Sequence, residues 1–252
     1  MQKGHSDRTN RIGWPQVALA ALLILLLLTI FNVYYFFVRR DVGLGYYIER
    51  LFAEDYTAVA QEPFYRAMTE AYLHFNLDLG HVPVHVFIGD SITAGFNLHE
   101  FGPSGSRRVL NRGIYSDTTD GLFRRIGINA NNLMIEKLFV MIGYNDLHRK
   151  ADDEIVANIE KILDLAKAER KYLQSILPVD PRIDARKNAR IVAVNRALRE
   201  MCVRKGWHFI DLHDSFEKNG GMNPHLTYDG IHPNYFGYRM WYSVIRPYLH
   251  EE

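Results

Sequence analysis

Val84-His85-Val86-Phe87-Ile88-Gly89-Asp90-Ser91 is the stretch on which the fold turns. A short apolar run rich in β-branched residues ends in glycine, then Asp90 and Ser91, then Ile92-Thr93-Ala94-Gly95. Such a run, closed by a turn signal, reads as a buried strand. Ser91 is therefore expected at the strand's carboxyl end, where a turn or helix begins. A helix start offers free backbone N–H groups and a positive dipole end. Gly-Asp-Ser by itself is equally read as a serine that caps a helix.

Downstream, short β-rich runs alternate with helical stretches. The runs are Val84–Ile88, Arg108–Asn111, Leu138–Ile142, Tyr172–Leu177 and Trp207–Leu212; helices are expected around Thr119–Ile126, Asp153–Arg170, Ala185–Lys205 and Tyr235–Leu249. Alternation of this kind implies right-handed βαβ units and a parallel sheet with both faces covered. In such sheets, ligands bind outside the carboxyl ends of the strands.

Three more strand ends and loops carry polar chemistry. Val109-Leu110-Asn111-Arg112-Gly113 puts a glycine just past the second strand, with a backbone N–H available to an anion. Phe139-Val140-Met141-Ile142-Gly143-Tyr144-Asn145-Asp146 ends the third strand; Gly143 permits a tight turn and Asn145 can aim an amide. Thr227-Tyr228-Asp229-Gly230-Ile231-His232-Pro233 precedes the last helix, and its Asp-x-x-His spacing lets one loop deliver a base and the group that orients it. A metal pair is the rival reading of Asp229 and His232. No second cluster has ligand spacing, and His81 and His85 straddle Pro83, so no metal is expected.

Taken together and in this order, Gly89-Asp90-Ser91, Gly113, Gly143-Tyr144-Asn145-Asp146 and Asp229-Gly230-Ile231-His232 resemble the four blocks of the SGNH (GDSL-like) hydrolases. The resemblance runs from about Val84 to Leu249. Tyr172-Leu173-Gln174-Ser175-Ile176-Leu177-Pro178 is similar to the acetylesterase and lysophospholipase-like branch. Ile92 replaces the usual leucine, and Tyr144 stands where a small residue is frequent.

The resemblance implies a flavodoxin-like three-layer α/β/α fold with a five-stranded parallel sheet. It also implies a serine ester hydrolase that works through an acyl-enzyme. Ser91 would be the nucleophile, His232 the base and Asp229 its orienting partner. The Ser91 and Gly113 N–H groups and the Asn145 amide would form the oxyanion hole. No cofactor is implied. The expected substrate is a small-molecule, glycan or lipid ester, with O-acetyl groups on carbohydrate favoured. Lysophospholipase, thioesterase and O-acetyltransferase activities are the alternatives, and a non-catalytic tethered binding protein is the reading from another class. Arg182 and Arg186, after the fourth strand, are candidates to meet an anionic substrate; a solvated helix start is the plainer view.

From Ile12 to Val38 no residue is charged. A helix of about 20 residues spans a hydrocarbon core of about 30 Å. Residues 15–38 are therefore expected to form one transmembrane anchor after a short tail (1–14), with Tyr34 to Phe37 and Arg39-Arg40 at one interface. A cleaved signal peptide would have a shorter core and small residues at its end. Flanking charges nearly tie, and a short tail before a long domain favours an extracytoplasmic hydrolase domain. Residues 39–80 read as helical, either a stalk or a segment packed on the hydrolase domain, here placed at 81–252.

Composition excludes little else. Of 252 residues, 30 are Lys or Arg and 29 are Asp or Glu, so nothing suggests a nucleic-acid footprint. The single cysteine, Cys202, falls on an apolar helical stripe and reads as a buried hydrophobe.

Overall fold

The computed structural model describes residues 19, 22–31, 63–101 and 108–250. The chain divides into two units, residues 1–52 and 53–252. In the first, residues 22–31 are helical. Among the described residues no helix is long and apolar enough to cross a membrane. Most of the expected 15–38 span, and residues 39–62 after it, lie outside the described residues.

The second unit opens with helix α1 (Pro63–Leu79) and then runs β1 (Val84–Gly89), the one-turn α2 (Ser91–Ala94), β2 (Arg108–Gly113), α3 (Thr119–Asn129), β3 (Ile135–Met141), α4 (Asp152–Leu165), β4 (Ala168–Gln174), α5 (Pro181–Lys205), β5 (His208–Ile210), the short α6 (His213–Phe216) and α7 (Tyr235–His250). The five strands form one parallel sheet in the order β2-β1-β3-β4-β5. A small hairpin, β6 (Glu217–Lys218) with β7 (Gly221–Met222), lies between α6 and α7.

Strand periodicity explains the layers. In β1, Val84, Val86 and Ile88 face a core shared with Leu122 and Ile126 of α3, Ile155 and Ile159 of α4, and Val194 and Leu198 of α5. The intervening Phe87 faces a second core with Phe139, Tyr172 and the α7 residues Trp241, Ile245 and Leu249. Side chains alternate along a strand, so an unbroken apolar run fits a strand covered on both faces. The second core is largely aromatic. Phe87 stacks on Phe139 with ring centroids 4.4 Å apart, and Phe96 stacks on Trp241 at 4.5 Å. The Trp241 indole N–H donates to Gln174 Oε1 at 2.6 Å.

Two elements depart from the sequence expectation. The helix expected over Asp153–Arg170 stops at Leu165, and β4 begins at Ala168. Residues 166–171 are good helix formers, but pairing with β3 through Ile135↔Ala168 and Lys137↔Arg170 overrides that weak preference. The α5 helix bends at Asp184, whose extended φ of −165° separates a first turn from a second segment. That second segment matches the helix expected from Ala185.

Strand order reverses between β1 and β3, which makes this the topological switch point. The carboxyl ends of β1, β2 and β3 meet there.

Candidate active site

Gly89 ends β1 at a point of close approach. A Cβ there would lie 2.0 Å from the Met141 carbonyl oxygen and 2.5 Å from Thr93 Oγ1, so no larger residue fits. Asp90 then caps α2, its buried carboxylate accepting the Ile92 N–H at 3.0 Å. Ser91 is the first residue of α2 and faces outward, half-buried.

The loop before α7 meets it. Ser91 Oγ lies 2.9 Å from His232 Nε2, and His232 Nδ1 lies 2.6 Å from Asp229 Oδ2. The other carboxylate oxygen of Asp229 accepts the N–H groups of Ile231 at 2.9 Å and His232 at 2.7 Å. Partial desolvation pushes the Asp229 carboxyl up, but these N–H bonds and the imidazole outweigh it and hold the group below the usual carboxylate range. The loop itself is pinned. Thr227 Oγ1 donates to the His232 carbonyl at 2.7 Å and accepts the Gly230 N–H at 2.9 Å, and the Gly230 carbonyl accepts the Asp180 N–H at 2.8 Å.

The β2 end comes close behind Ser91. A Cβ on Gly113 would lie 2.2 Å from the Ala94 amide nitrogen, so glycine alone lets β2 approach α2. The Gly113 N–H has a partner: it donates to Asn111 Oδ1 at 2.8 Å, while Asn111 Nδ2 donates to the Thr93 and Phe96 carbonyls at 2.7 and 3.0 Å. The β3 end is tied to the same loop. Asn145 Nδ2 donates to the Asp117 carbonyl at 2.8 Å, and Asp146 accepts from the Thr119 N–H at 2.9 Å and hydroxyl at 2.6 Å. The amide nitrogen of Asn145 carries two hydrogens, and the Asp117 bond takes one. Gly143 supports this turn at φ +118°, a backbone state that side chains rarely adopt.

The profile of the GDSL-like Lipase/Acylhydrolase family matches residues 87–240. The chain belongs to that family.

Solved structures similar to this acylhydrolase include a Streptococcus pneumoniae protein described as a candidate platelet activating factor. It is 27% identical, with a TM-score of 0.66, over 74% of this chain and 93% of that one. A candidate acylhydrolase of Bacteroides fragilis is 26% identical, with a TM-score of 0.62, over 71% and 94%. Among curated proteins, an N-acylneuraminate cytidylyltransferase of Streptococcus agalactiae serotype III is 28% identical over 211 residues, 70% of this chain and 50% of that protein. The chain spans about half the length of the curated relatives first matched. The family is one of lipases and acylhydrolases.

Several supporting residues carry no sequence signal. Arg125 of α3 is fully buried, and its guanidinium bonds Asp117 Oδ2 at 2.7 Å and the carbonyls of Arg112 and Gly89 at 2.8 and 2.9 Å. One side chain thus satisfies the carboxyl ends of both strands that flank Ser91. Helix α1, left open above as stalk or packing segment, is packed here. Its Tyr72 hydroxyl donates to the Gly113 carbonyl at 2.7 Å, and its Asn76 accepts two bonds from Arg112 at 2.6 and 3.0 Å. Only Asn111 had a local clue, its i, i+2 spacing from Gly113.

Burial raises the Asp90 carboxyl of the acylhydrolase to about 7, with Asp117 and Asp146 nearby adding to the effect. Arg182 pairs with Asp180 at 2.5 Å and Arg186 with Asp184 at 3.3 Å, both guanidinium groups are exposed, and the start of α5 fits the plainer view of a solvated helix start. Among the described residues no group of three or more His, Cys, Asp or Glu side chains is arranged to hold a metal ion.

Proposed function

We propose that this acylhydrolase cleaves O-acyl esters of carbohydrate through a Ser91–His232–Asp229 triad. One observation carries the reading: Ser91 Oγ, His232 and Asp229 are in hydrogen-bond sequence at 2.9 and 2.6 Å. In this mechanism His232 Nε2 takes the Ser91 proton as Oγ attacks the ester carbonyl, and gives it to the leaving alcohol. Asp229, kept ionised by its N–H donors, fixes the Nδ1–H tautomer and stabilises the imidazolium. A water, activated in turn by His232, then releases the acid from the acyl-enzyme.

The Ser91 N–H, the Gly113 N–H and the second Asn145 amide hydrogen stabilise the oxyanion. The Gly113 N–H does so while shared with Asn111 Oδ1. Arg125 and Tyr72 hold the carbonyls on either side of Gly113 and so preset the direction of its N–H.

A sugar ester is favoured because an exposed aromatic ring, Tyr228, stacks on the His232 imidazole. The N-acylneuraminate in the name of the curated relatives, an acylated sugar acid, points the same way. The apolar 15–38 segment tethers the enzyme, with its hydrolase unit on the extracytoplasmic side. Protease protection of sealed vesicles reports that orientation.

The test is turnover of p-nitrophenyl acetate, butyrate and octanoate by the full chain beside Ser91→Ala. Serine-dependent turnover that declines steeply with chain length supports the reading. Preference for octanoate supports a lipid ester instead, and serine-independent turnover ends the triad assignment.

A further inference from the structure

Three exposed rings lie on the segments that flank the candidate site. Tyr228 directly precedes Asp229, is 70% exposed, and stacks on the His232 imidazole with centroids 5.8 Å apart and planes within 13°. Tyr115, two residues past Gly113, is 52% exposed. Phe64, from the first turn of α1, is 54% exposed and meets Tyr115 edge to face at 6.2 Å. The loops that carry Tyr115 and Tyr228 bracket Ser91: Gly113 touches α2 from one side and His232 touches Ser91 from the other. The two phenols lie close enough for Tyr115 to add to the rise in the Tyr228 pKa, after burial and Asp229.

Ser116, next to Tyr115, sits at φ +61°, a left-handed state that residues other than glycine rarely adopt. Strain of this kind is found where surrounding structure enforces a functional geometry.

We infer that Phe64, Tyr115 and Tyr228 form a stacking platform for the sugar rings of an O-acylated oligosaccharide. The inference takes the position of the scissile ester from the triad reading. The rings are flat and half in water, and two of them carry hydroxyls. A fatty acyl chain gains from the hydrophobic effect only where its CH₂ groups are buried, which these half-exposed rings do not provide. A pyranose is rigid, offers one C–H face to a ring, and keeps its hydroxyls in water or on the phenols. Phe64 stands outside the 87–240 family match, so α1 adds a substrate contact of its own to the shared hydrolase core.

The experiment measures binding, so it does not depend on turnover. Full-length Ser91→Ala protein in detergent is titrated calorimetrically with O-acetylated xylotriose and with 1-octanoyl glycerol. Adding Phe64→Ala or Tyr115→Ala weakens the trisaccharide by about 5–10-fold, the scale of one aromatic contact. Phe64→Tyr keeps the affinity and shows that the ring matters rather than folding. Unchanged trisaccharide affinity in both alanine variants overturns the platform. So does weakened binding of the octanoyl ester alone, which assigns the rings to lipid. Failure of the triad reading looks different: Ser91-intact enzyme then binds the trisaccharide through these rings but does not deacetylate it.

Discussion

The Tyr72 hydroxyl and the Gly113 carbonyl are 41 positions apart in the chain and 2.7 Å apart in the fold. The bond is buried, and it fixes the peptide that follows the proposed oxyanion donor. A helix that precedes the sheet thus reaches the centre of the site. Tyr72→Phe leaves the Gly113 carbonyl without that donor and is expected to cost about 1–2 kcal/mol in stability, read from urea unfolding. Because the loss is at a positioning contact, kcat falls while KM for p-nitrophenyl acetate changes little. A parallel rise in KM would mean that Tyr72 acts on substrate binding instead.

Asn145 links two loops through Asp117, and the proposed mechanism gives its remaining amide hydrogen to the oxyanion. Loss of one oxyanion donor typically lowers kcat by about 10²–10³-fold. Asn145→Ala is therefore expected to fold and bind ester but turn over at that reduced rate. Near-normal kcat in the purified variant removes Asn145 from the oxyanion hole.

Asp90 makes stability depend on pH in an uncommon direction. Its carboxyl is raised from 3.8 to about 7 in the fold, mainly because burial disfavours the charged form. The folded state binds the proton more tightly than the unfolded state, so the destabilisation is absent below the unfolded value and grows as pH rises from there to about 7. Asp117, raised to about 6 mainly by burial, works in the same sense. Asp90→Asn keeps an acceptor for the Ile92 N–H and removes the charge. The variant should exceed wild type in Tm at pH 8, with the difference shrinking toward pH 4. A difference that does not vary with pH would show that Asp90 is not a source of the trend.

Ser116→Gly releases the left-handed strain beside Tyr115. The expected gain is up to about 1 kcal/mol, the strain relieved less the added unfolded-state freedom of glycine. The same change loosens the Tyr115 ring and should weaken O-acetylated xylotriose. A more stable protein with unaltered trisaccharide affinity would separate the strain from substrate binding.

Much of this fold could be read from local pattern. Val84–Ile88 is apolar because both faces of β1 are covered, and the glycines at 89, 113 and 143 mark close approaches or a positive φ. Ser91, Asp229 and His232 stood out because short spacings and strand ends expose them. What escaped was non-local. Residues 166–171 favour helix by composition and become strand only when β3 is alongside. Tyr72 and Arg125 resemble ordinary helix residues, since their partners are carbonyl groups that carry no residue-type signature. The engagement of the Gly113 N–H by Asn111 had only the i, i+2 spacing as a clue, because the bond depends on the side-chain rotamer.

The Ser91–His232 contact spans 141 positions, from the first strand of the sheet to the threshold of its last helix. Everything from β1 to the loop before α7 must therefore be in place before the proposed nucleophile and base can meet. A chain folded only as far as its first strands holds the proposed nucleophile without its proposed base. In the proposed mechanism first turnover thus timestamps the docking of α7 and the loop before it, and a stopped-flow esterase signal during refolding would follow that late step rather than early collapse.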